Sequence, residues 1–266
     1  GYTDIAIGVA MLMGFYLPKN FNSPYKATNA AGFWKRWHIS LSNWLKDYLY
    51  IPLGGNRNAT LGTYLILGVM LVVVALMAQT TWVTVTVIAV IAILAAVWYF
   101  FPKHRKEFNT NLNNFDTMLL GGMWHGASFN FITWGALNGG GILVYKWWKK
   151  LGPKARIAYS VGLFVVTHIA YRIWPCPALS MFRYALMVIA AAIFILNVVP
   201  YLRGDAYRPS RFKNGLTLVW NTFLTFIFIS FTRLFFRSGS NLDPAEANEV
   251  AWRTASQMVG QIGSRW

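Results

Sequence analysis

Charged residues are scarce in this chain, and acidic ones are the scarcest. Only 12% of its 266 residues are charged, whereas soluble domains carry about 25%. Asp and Glu number 8 together, against 24 Lys and Arg. A soluble domain of this length would still need a polar surface around its core, and the chain has too little polar material to form one. Much of its surface is therefore expected to face lipid.

Cysteine is nearly absent as well. Cys176 is the single cysteine, which excludes an internal disulfide and a zinc site built from thiolates. The sequence also lacks the Gly-rich loop ending in Lys and Ser or Thr that would bind a phosphate. It has no secretory signal with a basic start and a cleavage site. Since it begins at Gly1 within an apolar stretch, we expect the N-terminal part of a longer protein to be missing. Neither a bound metal nor a bound cofactor is predicted.

Hydrophobic residues, by contrast, make up 56% of the chain, and 13 residues are Trp. The net charge of +16 would suit nucleic acid, which favours basic patches. However, the basic residues form short clusters between apolar runs, at 103–106, 146–156 and 203–213. Such clusters are typical of cytoplasmic loops beside membrane spans, and they also attract anionic lipid. The pattern therefore predicts a membrane protein in contact with lipid, and no nucleic-acid partner.

Apolar runs predict the architecture, because a transmembrane helix needs about 20 apolar residues. The predicted spans are a partial one over 1–17 and further ones at 62–78, 82–101, 157–174, 179–201 and 217–236. The basic loops on both sides of the glycine-rich stretch 117–148 are expected to lie on the cytoplasmic side. This stretch must then enter the membrane and return, as a re-entrant or broken helical element. We predict an all-α, polytopic membrane helical bundle over 1–240, with a further helical segment over 241–266.

Two histidines stand out in this pattern. His38 lies in 33–50, where apolar residues recur on one face of a helix, so we predict one amphipathic interfacial helix there. His125 lies in the sequence GGMWHGAS within 117–148. A histidine buried there would be neutral and able to accept a proton. An ionisable residue at membrane depth points to function, although a histidine hydrogen-bonded to a neighbouring helix would look the same in sequence.

The surrounding residues resemble a known family. The sequences FWKRWHISLS at 33–42 and GMWHGA at 122–127 look like the two signature segments of membrane-bound O-acyltransferases (MBOATs). The sequence WLKDYLYIPLGGNR at 44–57 is similar to the bacterial branch that includes alginate O-acetyltransferase. One late segment departs from that branch, with Thr232-Arg233-Leu234 where Gly-Trp-Val is usual. The resemblance implies an MBOAT-like fold and acyl transfer within the membrane.

The resemblance also implies roles for individual residues. His125 would be the catalytic base and His38 its companion in the catalytic site. Further candidates for substrate binding are Trp37, Trp124, Lys35, Arg36, Asp47 and Asn130. The donor would be acetyl-CoA or another acyl thioester on the cytoplasmic side. The acceptor would be an exported polysaccharide or a periplasmic acetyltransferase partner, at the inner membrane of a bacterium. Two alternatives remain open: transfer of D-alanine to teichoic acid, and a transporter whose glycine-broken helices and histidines line a path.

Overall fold

The computed structural model describes residues 1–78, 80–126, 128–173, 177–203 and 211–239, and three single positions at 253, 257 and 261. The described residues form helices joined by turns, without a β-strand. This confirms the predicted all-α fold. Apart from those three positions, the predicted C-terminal segment 241–266 lies outside the described residues, as does Cys176, so the helical character of that segment stays a prediction.

The α-helices are numbered in chain order. They are α1 (Tyr2–Leu12), α2 (Ala30–Trp34), α3 (Ile39–Leu45), α4 (Leu61–Ala78), α5 (Thr81–Phe100), α6 (Arg105–Met123), α7 (Phe129–Lys150), α8 (Pro153–Ile173), α9 (Pro177–Arg203) and α10 (Arg211–Gly239). Short 3₁₀ turns occupy Pro24–Lys26 and Pro102–His104, and a π-helical turn occupies Lys46–Tyr50.

Three of the described helices are long and apolar enough to cross a membrane. The stretches are Val83–Phe100 in α5, Leu186–Arg203 in α9 and Asn214–Ser238 in α10. They correspond to the spans predicted at 82–101, 179–201 and 217–236.

The other predicted spans also form helices. Helix α4 has 18 residues and no charged side chain, which is close to the length that a transmembrane helix needs. Helix α1 has 11 residues and lies within the partial span predicted at 1–17. Helix α8 corresponds to the span predicted at 157–174, and Arg156, His168 and Arg172 interrupt its apolar run.

The predicted break within 117–148 is present, because the chain reverses direction between α6 and α7. A Cβ added to Gly135 would lie 2.6 Å from the carbonyl oxygen of Met118, and one on Gly139 would lie 3.1 Å from the ring of Phe115. Later residues of α7 thus face earlier residues of α6, which makes the pair an antiparallel hairpin. The hairpin's open ends are joined by an ion pair between Lys150 and Glu107.

The prediction of one continuous helix over 33–50 is wrong. Helix α2 ends at Trp34, and α3 begins only after His38, whose φ of 46° and ψ of 58° are left-handed. A single left-handed residue ends a right-handed helix, since it turns the next peptide out of the α-helical hydrogen-bond pattern. The segment is therefore two short helices with His38 at the bend between them.

Two small apolar clusters hold the bend and the hairpin in place. Phe33, which is 1% exposed, packs with Ala27 and with Ile229 of α10. This contact joins the segment that carries His38 to the middle of α10. The second cluster consists of Met70 of α4, Leu119 of α6 and Ile132 of α7, and it joins α4 to the hairpin.

Candidate active site

His125 lies in the turn at the closed end of the hairpin. Its backbone N–H donates to the carbonyl of Gly122 at 3.0 Å, so the turn leads directly out of α6. Gly126 follows with a φ of 154°, and a Cβ there would lie 2.9 Å from the ring of Phe131. Only glycine fits this position without strain. The sequence His-Gly thus places the imidazole at the point where the chain reverses.

Aromatic rings surround the His125 imidazole. The ring centroids of Trp124 and Phe236 lie 4.9 Å from it, that of Trp134 lies 5.3 Å away and that of Phe131 6.0 Å away. Phe236 belongs to α10, whereas the other three belong to the hairpin. The aromatic cleft, as we call the space bounded by these four rings, therefore forms where the hairpin's closed end meets α10.

His38 is held at its bend by hydrogen bonds to Asn20. The backbone N–H of Ile39 donates to the Asn20 carbonyl at 3.0 Å. The backbone N–H and hydroxyl of Ser40 donate to the Asn20 side-chain oxygen at 2.9 and 2.6 Å. A left-handed conformation for a residue other than glycine costs about 1 kcal/mol or more. These bonds hold that conformation and so fix the direction of the His38 side chain.

Arg233 of α10 connects the two histidine segments. Its guanidinium carbon lies 4.2 Å from the ring centroid of Trp37 and 5.5 Å from that of Phe236. Trp37 immediately precedes His38, while Phe236 is one of the rings around His125. The cation therefore lies between the residues that flank both histidines.

Burial lowers the pKa of His125, and the positive charges of His38 and Arg233 lower it further. Both effects disfavour the imidazolium, because one removes water and the other adds like charge. His125 is consequently neutral at physiological pH and can accept a proton.

Several buried polar atoms in this region have no hydrogen-bond partner among the described residues. They are Nδ1 of His38, Oδ1 of Asn130, Nε1 of Trp134 and Nη2 of Arg233. In folded proteins, roughly 90% or more of buried backbone polar groups and most buried side-chain polar atoms have a partner. Of these residues, Trp134 bounds the aromatic cleft and Arg233 lies against Phe236, so a polar ligand at the cleft would supply partners that these two side chains lack.

Three of the sequence-predicted substrate-binding residues lie with these groups. Trp37 stacks on Phe33 with centroids 5.6 Å apart and carries Arg233 on its ring. Trp124 is 61% exposed and so forms the open side of the cleft beside His125. Asn130 is fully buried and donates to the hydroxyl of Ser238 in α10 at 2.7 Å.

The other three lie outside this group. Lys35 is exposed on the surface. Arg36 donates to the backbone carbonyl of Asn22 at 3.2 Å. Asp47 is exposed and lies 3.5 Å from the ammonium group of its neighbour Lys46. Their roles in substrate binding stay predictions. Among the described residues, no group of three His, Cys, Asp or Glu side chains lies close enough together to hold a metal ion.

The sequence analysis missed two residues of this site, Arg233 and Phe236. Arg233 had a readable signal, because a charged residue within the apolar run of α10 points to function by default. In the sequence, Arg233 stands out only as part of the departure from the usual Gly-Trp-Val. Phe236 lies in the sequence FFR at 235–237, which also resembles the bacterial branch, but that resemblance implied no role for it.

Comparison with known proteins gives partial matches to one family. The model of the membrane-bound O-acyltransferase family matches residues 1–103, which include the segment with His38. The chain is also 40% identical over 139 residues, 52% of its length, to a probable alginate O-acetylase from Pseudomonas aeruginosa. Over these residues the chain is similar to the MBOAT family.

Two other relatives show the range of proteins that resemble this chain. A peptidoglycan O-acetyltransferase from Helicobacter pylori is 37% identical over 146 residues, which is 55% of the chain and 19% of the relative. A teichoic acid D-alanyltransferase from Bacillus subtilis is 27% identical over 154 residues, 58% of the chain and 29% of the relative. The match covers 18% of the Pseudomonas protein, so the chain spans about a fifth of the length of its first curated relatives. With its similarity to a membrane-bound family and three apolar helices of sufficient length, it is a membrane protein.

Proposed function

We propose that this chain carries the acyl-transfer centre of a membrane O-acyltransferase, with His125 as the catalytic base. The observation that carries the proposal is that His125 packs on Phe236, which Arg233 also contacts, while Arg233 lies against Trp37, the residue before His38. A neutral histidine beside unpartnered buried polar atoms is suited to bind a hydroxyl and remove its proton. Acetyl is the favoured acyl group, because the most similar of the relatives described above are O-acetyltransferases by name.

In the proposed reaction, the neutral imidazole of His125 takes the proton from an acceptor hydroxyl as its oxygen attacks the carbonyl carbon of an acyl thioester. A C–O bond forms, the C–S bond breaks, and the thiolate that leaves takes the proton back from His125. General-base catalysis of this kind contributes about 10²–10⁴-fold. His38 would hold the donor or stabilise the negative charge that develops on the thioester carbonyl oxygen.

The donor would be acetyl-CoA or another acyl thioester from the cytoplasm. Lys35 and Arg36, in the basic segment before His38, would attract the phosphates of such a donor. The acceptor would be an exported polysaccharide, or a periplasmic acetyltransferase that receives the acetyl group in relay. The protein would accordingly lie in the inner membrane of a bacterium and cross it several times.

D-alanyl transfer to teichoic acid is the second candidate. It is supported by the 27% identity to the D-alanyltransferase of Bacillus subtilis, which is lower than the 40% identity to the alginate O-acetylase. The two candidates differ in their donor, so they can be separated by supplying the complete protein with a labelled acetyl thioester or with a labelled D-alanyl thioester.

The test uses the complete protein, purified in lipid nanodiscs and supplied with acetyl-CoA labelled in the acetyl group. We expect the natural protein to transfer acetyl groups to a polysaccharide acceptor. His125→Ala should lower the rate of transfer at least 100-fold, and His38→Ala should lower it less. His104→Ala is the matched control, since His104 is an exposed histidine in a basic cluster. Full activity of a correctly folded His125→Ala protein would refute the proposed role of His125.

A further inference from the structure

Arg233 is a charged residue within the candidate span Asn214–Ser238. Charged side chains within membrane helices are costly, and they face the interior of the bundle or a site. The guanidinium of Arg233 lies between the rings of Trp37 and Phe236, at 4.2 and 5.5 Å. Its Nη2 is buried and has no hydrogen-bond partner among the described residues. The side chain therefore points into the protein, towards the region of the two histidines.

No described carboxylate neutralises this cation. The four acidic residues that the structure describes are engaged or located elsewhere. Asp4 pairs with the amino terminus, Asp47 with Lys46 and Glu107 with Lys150, while both carboxylate oxygens of Asp116 are themselves without a hydrogen-bond partner. Within the described part of the chain, the positive charge of Arg233 is thus balanced by no negative side chain.

Such a guanidinium is suited to bind an oxyanion. Its planar array of N–H donors matches a phosphate or a carboxylate with two parallel hydrogen bonds. The rings of Trp37 and Phe236 support the cation by cation–π contacts without using its N–H donors. The buried Nη2 therefore still lacks a partner, which an anionic ligand that reaches it would supply.

We propose that Arg233 binds an anionic oxygen group of a substrate, either a phosphate of the acyl donor or a carboxylate of a sugar acceptor, and so orients that substrate beside His125. The inference rests on the proposed acyl transfer only for its choice of substrates. Phe236 packs against both Arg233 and His125, so an anion bound to Arg233 would hold the rest of its molecule near the imidazole.

The experiment measures equilibrium binding to the complete protein in nanodiscs, which requires no turnover. Two pairs of probes separate the two sources of the anion. CoA is compared with pantetheine, which lacks its phosphates, and an alginate oligosaccharide is compared with its carboxyl-reduced form. Each probe is titrated against the natural protein and against Arg233→Gln, Arg233→Lys and Arg172→Gln. Arg172 is an exposed arginine near the end of α8, and so it is a matched control.

We expect Arg233→Gln to weaken binding of one anionic probe at least tenfold while its uncharged counterpart binds as before. Loss for CoA alone identifies a donor phosphate, and loss for the alginate oligosaccharide alone identifies an acceptor carboxylate. Arg233→Lys should retain part of the affinity, because it retains the charge, and Arg172→Gln should retain all of it. Unchanged binding of both anionic probes by Arg233→Gln would overturn the proposal, as would an equal loss for charged and uncharged probes.

A parallel acetyl-transfer assay shows whether a negative result refutes the anion site at Arg233 or the proposed acyl transfer. If His125→Ala abolishes transfer while Arg233→Gln binds and reacts normally, the acyl-transfer proposal stands and the role of Arg233 is refuted. The converse outcome is that Arg233→Gln loses affinity for one anionic probe while neither the natural protein nor any variant transfers acetyl groups. In that case the anion site stands and the proposed reaction is refuted.

Discussion

The close approach of α6 and α7 predicts a strong effect of a very small substitution. Gly135 faces backbone, since a Cβ there would lie 2.6 Å from the Met118 carbonyl oxygen, 3.1 Å from the Leu119 Cα and 3.2 Å from the Leu119 carbonyl oxygen. No side-chain rotation can relieve these contacts, because all three atoms belong to the backbone of α6. In Gly135→Ala the two helices must therefore move apart.

The size of the effect follows from these distances. Ordinary contact begins near 3.4 Å, so the hairpin would have to separate by about 0.8 Å at this point in a tightly packed structure. Overpacking of this kind costs about 1–3 kcal/mol. The turn that carries His125 joins the same two helices, and a displacement of about 1 Å in a catalytic group can lower the rate roughly 100-fold. We therefore expect Gly135→Ala to lose both stability and activity.

Gly140→Ala is the matched control on the same helix, because a Cβ there would have nothing within 4 Å. Replacing glycine by alanine in a helix is favourable by about 1 kcal/mol when no contact opposes it. Thermal unfolding in detergent and acetyl transfer are measured for both variants. A Gly135→Ala protein that melts and reacts like Gly140→Ala would refute the close packing of the hairpin.

Three further predictions concern polar residues. Both carboxylate oxygens of the fully buried Asp116 lack a hydrogen-bond partner among the described residues, and an ionised carboxyl is costly in such a place. Asp116→Asn should therefore raise the melting temperature in detergent at pH 8, and a lower melting temperature would contradict the prediction. Ser238→Ala should lower the free energy of unfolding by about 1–3 kcal/mol, measured by denaturation in detergent, because it leaves the buried amide of Asn130 without its acceptor. Since the charge of Arg233 lowers the pKa of His125, Arg233→Gln should shift the acidic limb of the pH–rate profile to higher pH, and a shift to lower pH would contradict this.

The sequence predicted the hairpin and the position of His125 within it well. The glycines at 122, 135 and 139 indicated a broken element rather than an ordinary span, and the structure shows that Gly135 and Gly139 let the backbones of α6 and α7 approach closely. The basic ends of 117–148 indicated that the chain returns, and the ion pair between Glu107 and Lys150 joins those ends. In these cases the local pattern and the tertiary contact depend on the same residues.

The bend at His38 was not predictable from periodicity. Residues 33–50 have apolar side chains at helical spacing throughout, and the RWH sequence contains no glycine or proline to mark an interruption. The bend is stabilised by Asn20, from an earlier part of the chain. The local sequence pattern cannot predict a bend that depends on a contact with a distant residue. The contact of Arg233 with Trp37 also joins distant parts of the chain, so it was not predictable either.

The length of the α6–α7 hairpin bears on the route of the transferred group. With a rise of 1.5 Å per helical residue, the turn that holds His125 lies about 25 Å from the level of Glu107 and Lys150. The hydrocarbon layer of a bilayer is about 30 Å thick. An upright hairpin with its basic ends in the cytoplasm would thus hold the imidazole close to the opposite surface. Under the proposed acyl transfer, the acyl group would have crossed most of the hydrocarbon layer before it met an acceptor, and the ester bond would form near the outer surface of the membrane.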